Sequence, residues 1–331
     1  ESIDLDEFVS ETIPLNFIQC NSNVFYRKLV ETSSTKEHLE GINFKALATK
    51  KYDNEESIYS NLSIQYCEPE LREGLFELEK AKNNQLPKLV ELTDLKGILH
   101  NHSTYSDGMN TLEEMAVYCK QLGYQYLGIC DHSKTASYAG GLKVETVLLQ
   151  QQEIEKLNKQ LFPFKIFKGI ESDILGNGDL DYEEDILKTF DFIVASVHAN
   201  LKMDEEKATT RLIKAIENPY TTILGHPTGR LLLGRPGYPI DHKKIIDACA
   251  ANKVVIELNA HPYRLDIDWR WIPYCLEKGV MISINPDAHQ LKGYHDMRYG
   301  TYVARKGLLT KDNCLNAMDL NTFENYLSTK K

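Results

Sequence analysis

The chain has 331 residues, of which 42% are hydrophobic and 26% are charged, and its net charge is −10. This composition excludes an intrinsically disordered chain and predicts a globular protein with a sizeable core, and the lack of long apolar runs predicts no membrane partner. The negative charge disfavours strong sequence-independent binding of nucleic acid by this chain alone, but it does not exclude a phosphorylated substrate.

The first residues of the chain bear on its location, and the spacing of the cysteines bears on disulfides and metal sites. Glu1 to Asp6 contain neither a basic leader nor an apolar segment, which predicts a cytoplasmic location. The seven cysteines are scattered singly, so the sequence predicts neither a disulfide framework nor a thiolate zinc site. We interpret them as buried, reduced thiols.

A break in the helical pattern predicts a boundary between two domains at residues 83–94. Asn83, Asn84 and Pro87 disfavour a continuous helix there, and an apolar run resumes directly afterwards. We therefore predict a small N-terminal α+β appendage at residues 1–87 and a larger domain at residues 88–331.

Beyond this boundary, seven short apolar runs alternate with longer amphipathic stretches. In residues 111–123, for example, Leu112, Met115, Ala116 and Cys119 share one helical face. Strands that alternate with helices predict a parallel sheet, either a barrel or a doubly wound layer. Seven strands in about 240 residues favour an α/β barrel of the (β/α)7 type, with one unit fewer than the common eight. The runs cover residues 97–99, 126–130, 165–170, 192–197, 222–225, 254–258 and 280–284, and a further helical stretch covers 240–252.

Histidines and carboxylates follow almost every predicted strand. Because the carboxyl ends of parallel strands converge on one mouth of a barrel, side chains remote in sequence are expected to meet there. Alternation along an extended strand predicts that His100 and His102 lie on the same side, and likewise Asp287 and His289. Asp107, in a turn soon after the first pair, adds a carboxylate. The nine candidate metal ligands are His100, His102, Asp107, His132, Glu171, His198, His226, Asp287 and His289.

Imidazole nitrogens and carboxylate oxygens suit Zn²⁺, Mn²⁺ or Fe²⁺. A lone histidine at a strand end is usually a structural polar cap, so the joint placement carries the prediction. Nine ligands exceed the capacity of one ion, and we predict two or three divalent metal ions that hydrolyse a phosphate ester. His132, His198 and Asp287 are the catalytic candidates, because an imidazole or a carboxylate there would aid proton transfer.

Further residues near the same mouth have predicted roles. Arg230 and Arg264 each follow soon after a His-Pro pair, and they are the candidates for holding the substrate phosphate. His261 is a candidate for a position just outside the ligands. Asp131 is expected either to orient His132 or to cap the next helix. The remaining histidines are predicted to lie at the surface: His38, His242 and His295.

At these residues the chain resembles the polymerase and histidinol phosphatase (PHP) family, over residues 94–310. The resemblance implies a distorted seven-stranded barrel with a trinuclear metal site, and it implies a ligand role for all nine candidates. None of the nine positions is substituted, which favours an active enzyme over a structural barrel. The matching segments are residues 99–108, 130–133, 169–173, 196–198, 225–227 and 286–289.

More narrowly, the chain resembles the C-terminal part of bacterial family X DNA polymerases. In that family the barrel is a 3′→5′ exonuclease that favours Mn²⁺ and lies beside a gap-filling polymerase. The resemblance implies DNA ends as the substrate and, in a longer parent chain, an upstream polymerase module as a partner. The similar segments are residues 33–38, 68–74, 92–97 and 258–266.

Residues 1–87 depart from a complete polymerase and resemble only its last, thumb-like part. The aspartate pair that binds nucleotide Mg²⁺ is missing from them. Ser34 replaces a glycine of the family motif, and Pro14 aligns where the last catalytic aspartate would stand. We therefore expect no polymerase activity from this chain.

Three functions remain compatible with the sequence. The first is a 3′→5′ exonuclease, that is, a phosphodiesterase on DNA. The second is a phosphomonoesterase of the histidinol phosphatase type on a small phosphate ester, which the acidic charge suits better. The third is a non-catalytic barrel that acts as a scaffold for a polymerase.

Overall fold

The computed structural model describes residues 16–330. It divides the chain into two compact units, with the division between Leu86 and Pro87. The predicted alignment of Pro14 with a catalytic aspartate lies outside the described residues. Among the described helices, none has the length and apolar character that a membrane crossing requires. Six of the seven cysteines are buried and Cys20 is half-buried, and all are free thiols.

The first unit is built from short helices around its own apolar core. Capping side chains start two of these helices, because Thr35 accepts a hydrogen bond from the backbone N–H of His38 and Asn54 accepts one from Ser57. No strand occurs in the described residues 16–86, so this part is helical rather than the predicted α+β. The helices are α1 (Phe25–Thr32), α2 (Lys36–Gly41), α3 (Glu55–Asn61) and α4 (Glu77–Lys82).

His38 is fully buried in this unit, which corrects the prediction of a surface position. Its Nδ1 lies 2.7 Å from Glu77 Oε1, and its Nε2 lies 2.9 Å from the Tyr59 hydroxyl. A buried imidazole is tolerated because both ring nitrogens have partners. Those partners lie 39 and 21 residues away, so the sequence pattern around His38 did not reveal them. His295 is exposed as predicted, and His242 is half-buried against the Trp271 ring.

We predict that Tyr59→Phe destabilises the first unit by about 1–3 kcal/mol, because the substitution leaves the buried His38 Nε2 without a partner. Urea unfolding of the full chain, followed by circular dichroism, measures the change. Tyr26→Phe alters a half-buried ring in the same unit and serves as the control. Equal stability of the Tyr59 variant and the parent would contradict the prediction.

The second unit contains seven parallel strands that pair in chain order, each with the next. An isolated parallel bridge between Asn101 and Ala288 joins the segments that follow the first and last strands, so the sheet is nearly closed into a barrel. This arrangement confirms the predicted (β/α)7 barrel. The strands are β1 (Gly97–Ile98), β2 (Tyr126–Ile129), β3 (Lys165–Asp173), β4 (Phe192–Ser196), β5 (Ile223–Leu224), β6 (Val255–Asn259) and β7 (Ile282–Asn285).

Several helices of the second unit pack against the strands in the manner of a β/α repeat, namely α5 against β2, α6 against β3 and α11 against β7. In α5 the buried residues are Leu112, Met115, Ala116 and Cys119, the face that the sequence predicts. The helices are α5 (Leu112–Gln121), α6 (Val144–Leu161), α7 (Glu184–Leu187), α8 (Glu205–Ile216), α9 (His242–Asn252), α10 (Ile272–Glu277), α11 (Met297–Lys306) and α12 (Leu320–Ser328).

An aromatic cluster fills the amino-terminal end of the barrel. The Tyr126 ring, at the start of β2, stacks on Phe323 of α12 with centroids 4.7 Å apart, and Phe167 of β3 meets Phe323 edge-on. Ile223 and Val255, at the starts of β5 and β6, belong to the same apolar cluster. The same cluster extends along the barrel as far as the residues that precede the polar side chains at the carboxyl ends of the strands.

Candidate metal centre

All nine predicted ligands converge at the carboxyl end of the barrel. Their donor atoms form four groups, and within each group the atoms lie within 4.8 Å of one another. His100, His102, His132 and Glu171 each belong to two groups, so neighbouring groups share side chains. The groups are His102, Asp107, His132 and His289; His100, His102 and Asp287; His100, Glu171 and His226; and His132, Glu171 and His198.

His100 and His102 meet for a different reason from the predicted strand alternation. Strand β1 ends at Ile98, and His100 has a φ of +62°, in the left-handed region. The chain turns at His100 and resumes sheet-like pairing at Asn101, and the two imidazole centroids lie 5.3 Å apart. Asp287 has a φ of +52°, so alternation does not explain its pairing with His289 either. A left-handed backbone conformation costs free energy in any residue other than glycine, and residues that adopt it concentrate at functional sites.

Glu171, at the carboxyl end of β3, lies at the centre of the cluster. Its Oε1 is 3.0 Å from His226 Nε2, 3.1 Å from His198 Nε2 and 3.2 Å from His100 Nε2. Its Oε2 is 2.9 Å from His132 Nδ1. One carboxylate therefore lies close to four imidazoles, and it would contribute ligand atoms to two of the four groups.

Asp107 and His289 form the open edge of the cluster, and both are partly exposed. His289 Nε2 lies 3.4 Å from Asp107 Oδ1. The loop that carries Asp107 folds tightly on itself, because the space that a Cβ on Gly108 would need is only 2.0 Å from the His102 carbonyl oxygen. A larger residue at Gly108 would displace Asp107.

Asp131 holds this loop in place, which differs from both roles predicted for it. Its carboxylate accepts hydrogen bonds from the backbone N–H and the hydroxyl of Ser103, both at 2.7 Å. It also accepts one from the Ser106 hydroxyl at 2.5 Å and one from Gln150 at 2.6 Å. Burial raises the pKa of Asp131, while these donors oppose the shift.

Sequence reasoning missed Glu257, a fully buried carboxylate within β6. Its Oε1 lies 2.6 Å from His100 Nδ1, and its Oε2 accepts a hydrogen bond from the backbone N–H of His226 at 2.8 Å. Asn285 and Asn259 donate to the same carboxylate. Glu257 thereby fixes the ring of one ligand and the main chain of another. The sequence signal that could have identified Glu257 was its single charge inside the apolar run 254–258, because a buried ionised side chain needs polar partners.

Asp173 is the second residue that sequence reasoning missed. Its carboxylate accepts a short hydrogen bond from His198 Nδ1 and another from the Thr135 hydroxyl at 2.7 Å. With Nδ1 held in this way, His198 directs Nε2 towards Glu171. The signal was the spacing Glu171-x-Asp173, because side chains two apart on β3 share one face.

The charges of the cluster favour cations. Burial alone would raise the pKa of the Glu171 carboxyl, but the neighbouring imidazoles, His198 foremost, lower it well below its ordinary value. Burial lowers the pKa of His102 to about 3, so this imidazole is neutral and can bind a metal ion. Burial would also lower the pKa of His198, yet Glu171 raises it to about 10. Ionised carboxylates thus need positive charge beside them, from protons or from metal ions.

The donor atoms fit divalent metal ions. Nitrogen and oxygen donors without a cysteine in any of the four groups suit Zn²⁺, Mn²⁺ or Fe²⁺. Buried donor atoms without a suitable partner are costly unless an ion or water satisfies them. Five such atoms of the cluster make no hydrogen bond of suitable geometry to the described residues: His100 Nε2, His102 Nδ1, His132 Nδ1, Glu171 Oε2 and His226 Nδ1.

The two predicted phosphate-binding arginines differ in their surroundings. Arg264 lines a cleft of about 520 Å³ together with Asp287, and its Nε lies 3.3 Å from Asp287 Oδ2. Arg230 instead donates to the carbonyl oxygens of Arg264 and Leu265 and to the Asp268 carboxylate. Its guanidinium is therefore engaged in bracing a loop, and we retain only Arg264 as a candidate for the substrate phosphate.

Comparisons with known proteins agree with this geometry. The PHP domain family model matches residues 99–261. The chain is 39% identical over 278 residues to the DNA polymerase/3′-5′ exonuclease PolX of Bacillus subtilis (strain 168), covering 84% of this chain and 48% of that protein. It is 30% identical over 256 residues to a Thermoanaerobacter sp. (strain X514) protein named "Probable phosphatase", covering 72% of this chain and 97% of that protein.

A solved structure shares the fold. The Listeria monocytogenes protein, described as a candidate histidinol phosphatase, aligns with a TM-score of 0.50 at 15% identity, covering 60% of this chain and 97% of that chain. At this identity the likeness concerns the fold alone. The present chain spans 48% of the length of PolX, so it corresponds to a part of that protein.

Proposed function

The chain belongs to the PHP domain family of metal-dependent phosphoesterases, and on this premise we propose that it is a 3′→5′ exonuclease that hydrolyses phosphodiester bonds at DNA ends. The observation that carries the proposal is the set of four interlocking groups of histidines and carboxylates at the barrel mouth. Shared side chains suit two or three divalent ions rather than one. We propose Mn²⁺, Zn²⁺ or Fe²⁺ as these ions.

The protein residues would supply positioning and proton transfer. Bound divalent ions would polarise the phosphate and activate the attacking water. Arg264 faces the cleft and would hold a phosphate oxygen by charge-assisted hydrogen bonds. Asp287 lines the same cleft and would accept the proton that the attacking water loses. His132 and His198 both contact Glu171 and complete the proposed catalytic set.

The similarity to PolX supports a DNA substrate. It covers 84% of the chain, which is more than the second unit contains, so it extends into the first unit. A phosphatase that acts alone on a small molecule has no evident need for such a segment. We propose that the first unit is the remnant of a polymerase module, without polymerase activity, and that an upstream module is its partner in a longer parent chain.

A second candidate function is hydrolysis of a small phosphate monoester. It is favoured by the phosphatase relative, of whose length the alignment covers 97%. The net charge of −10 also suits a small substrate better than a DNA backbone.

Digestion of a 5′-labelled single-stranded oligonucleotide separates the two candidates. With Mn²⁺ present, we expect a ladder of products shortened from the 3′ end, and we expect a chelator to abolish the ladder and added Mn²⁺ to restore it. Denaturing gel electrophoresis measures both results. Cleavage of a small phosphate monoester without any ladder would reject the exonuclease and favour the phosphatase.

A further inference from the structure

Apolar side chains form one wall of the cleft beside the candidate metal centre. The cleft has a volume of about 520 Å³, within the range of roughly 300–1,000 Å³ that is typical of small-molecule sites. Arg264, Asp287 and His289 form its charged side. The rest of the lining consists of His261 and of residues 231–234 and Tyr263, and we call residues 231–234 and Tyr263 the apolar wall.

The apolar wall is exposed although it is firmly held. The backbone N–H of Leu231 donates to the Arg235 carbonyl at 3.0 Å, and Arg235 returns a bond at 2.8 Å, which closes a hairpin. The backbone N–H of Leu232 donates to the Tyr263 carbonyl at 2.5 Å, so the hairpin and the Tyr263 loop are joined. Leu233 and Tyr263 nevertheless remain largely open to solvent, and Leu232 is 37% exposed. Their exposure is therefore a feature of an ordered surface.

Leu233 is costly in its position. Its φ of +62° lies in the left-handed region, where a glycine or an asparagine is more stable. Its side chain is fully exposed, so packing against the described residues does not offset this cost. A leucine that is both strained and solvated points to a ligand that covers it.

The charge of the chain indicates what this ligand must provide. A net charge of −10 opposes a long phosphate backbone, so a nucleic acid end needs contacts other than electrostatic ones. Stacking of bases on aromatic side chains contributes about 1–3 kcal/mol per base and tolerates any sequence, and burial of a base face against leucines adds a non-directional apolar contact. A nucleotide presents a phosphate and a flat base together, which matches the charged and apolar sides of this one cleft.

We propose that Leu232, Leu233 and Tyr263 of the apolar wall bind the base of the terminal nucleotide while its phosphate lies at the metal centre. The inference rests on the proposed exonuclease function and names the side chains that would hold the terminal base. Tyr138 is 71% exposed, its ring centroid lies 6.2 Å from that of His132, and it offers a second surface for the neighbouring base. The wall thereby determines specificity without taking part in the chemical step.

Two single-stranded oligonucleotides of equal length test the proposal. One carries normal bases, and in the other the last two 3′ nucleotides are replaced by base-free tetrahydrofuran residues. With Mn²⁺, we expect the parent to show a KM about tenfold lower for the substrate with bases, which corresponds to about 1.4 kcal/mol. Leu232→Ser with Leu233→Ser, or Tyr263→Ala, should remove this preference by raising KM for that substrate alone, with kcat unchanged.

Matched variants elsewhere on the barrel serve as controls. Tyr302 is 56% exposed against 58% for Tyr263, and Leu149 is a largely exposed leucine on α6, so Tyr302→Ala and Leu149→Ser should keep the preference. Cleavage of both substrates by the parent with equal KM would overturn this inference alone. A parallel loss of activity on both substrates in the wall variants would overturn it as well, since the hairpin would then be supporting the metal centre. If the parent cleaved neither of the two substrates, the exonuclease function itself would be rejected.

Discussion

Asp287→Ala is expected to lower the rate of phosphate ester hydrolysis at least about a thousandfold, or on the order of 4 kcal/mol in the activation free energy. Asp287 belongs to a ligand group with His100 and His102, and its Oδ2 also lies 3.3 Å from Arg264 Nε. The substitution therefore removes a proposed metal ligand and the proposed proton acceptor together. Steady-state rates with saturating Mn²⁺ measure the loss.

The fold should survive this substitution, because Asp287 is not part of the apolar cluster that fills the barrel. Circular dichroism and the melting temperature check that point, and Asp312→Ala, at an exposed position, serves as the control. His132→Ala should behave like Asp287→Ala. Activity at the parental level in both variants would contradict the site. If His198→Ala also left every readout unchanged, the barrel would instead be the non-catalytic scaffold.

Glu257→Gln is expected to weaken metal binding by about 10–100-fold, although Glu257 is not itself a proposed ligand. Its two carboxylate oxygens accept hydrogen bonds from the His226 backbone N–H and from two asparagine amides, and one of them lies 2.6 Å from His100 Nδ1. A glutamine keeps the size but offers one acceptor oxygen, so at least one buried donor loses its partner. We expect an accompanying loss of about 1–3 kcal/mol in stability.

Isothermal titration with Mn²⁺ measures the affinity, and the dependence of the rate on Mn²⁺ concentration gives an independent readout. High Mn²⁺ should restore most of the activity, since the ligands themselves are intact. Glu277→Gln, at an exposed position, is the matched control. An unchanged Mn²⁺ affinity in the Glu257 variant would show that His100 does not depend on this carboxylate for its orientation.

The repeating features of this fold were predictable from local pattern. Apolar runs located all seven strands, and helical periodicity identified the buried face of α5. The nine side chains were predictable as a set because parallel strands bring their carboxyl ends to one mouth. Whether each side chain binds a metal ion stays a prediction, although the nine are now seen to be close enough to do so.

Features that depend on contacts remote in sequence were not predictable. The partners of His38 and Glu257 lie in other elements of the fold. His38, predicted at the surface, is therefore buried, and Glu257, a strand residue for which no role was predicted, orients the proposed ligand His100. The left-handed turns at His100 and Asp287 were not predicted, because alternation along an extended strand already accounted for the pairs His100–His102 and Asp287–His289. The pairs were right, but the predicted reason for them was wrong. The role of Arg230 depends on two carbonyl oxygens that only the folded loop presents.

The bridge between Asn101 and Ala288 has a consequence for how this protein responds to strain. We call this bridge the seam of the barrel. His100 and His102 flank Asn101 on one side of it, Asp287 and His289 flank Ala288 on the other, and all four are proposed ligands. Any slippage of the first strand past the last would pull these side chains apart. Opening of the barrel at this seam would therefore also separate four of the nine proposed ligands, whereas loss of a single ligand side chain would leave the barrel closed.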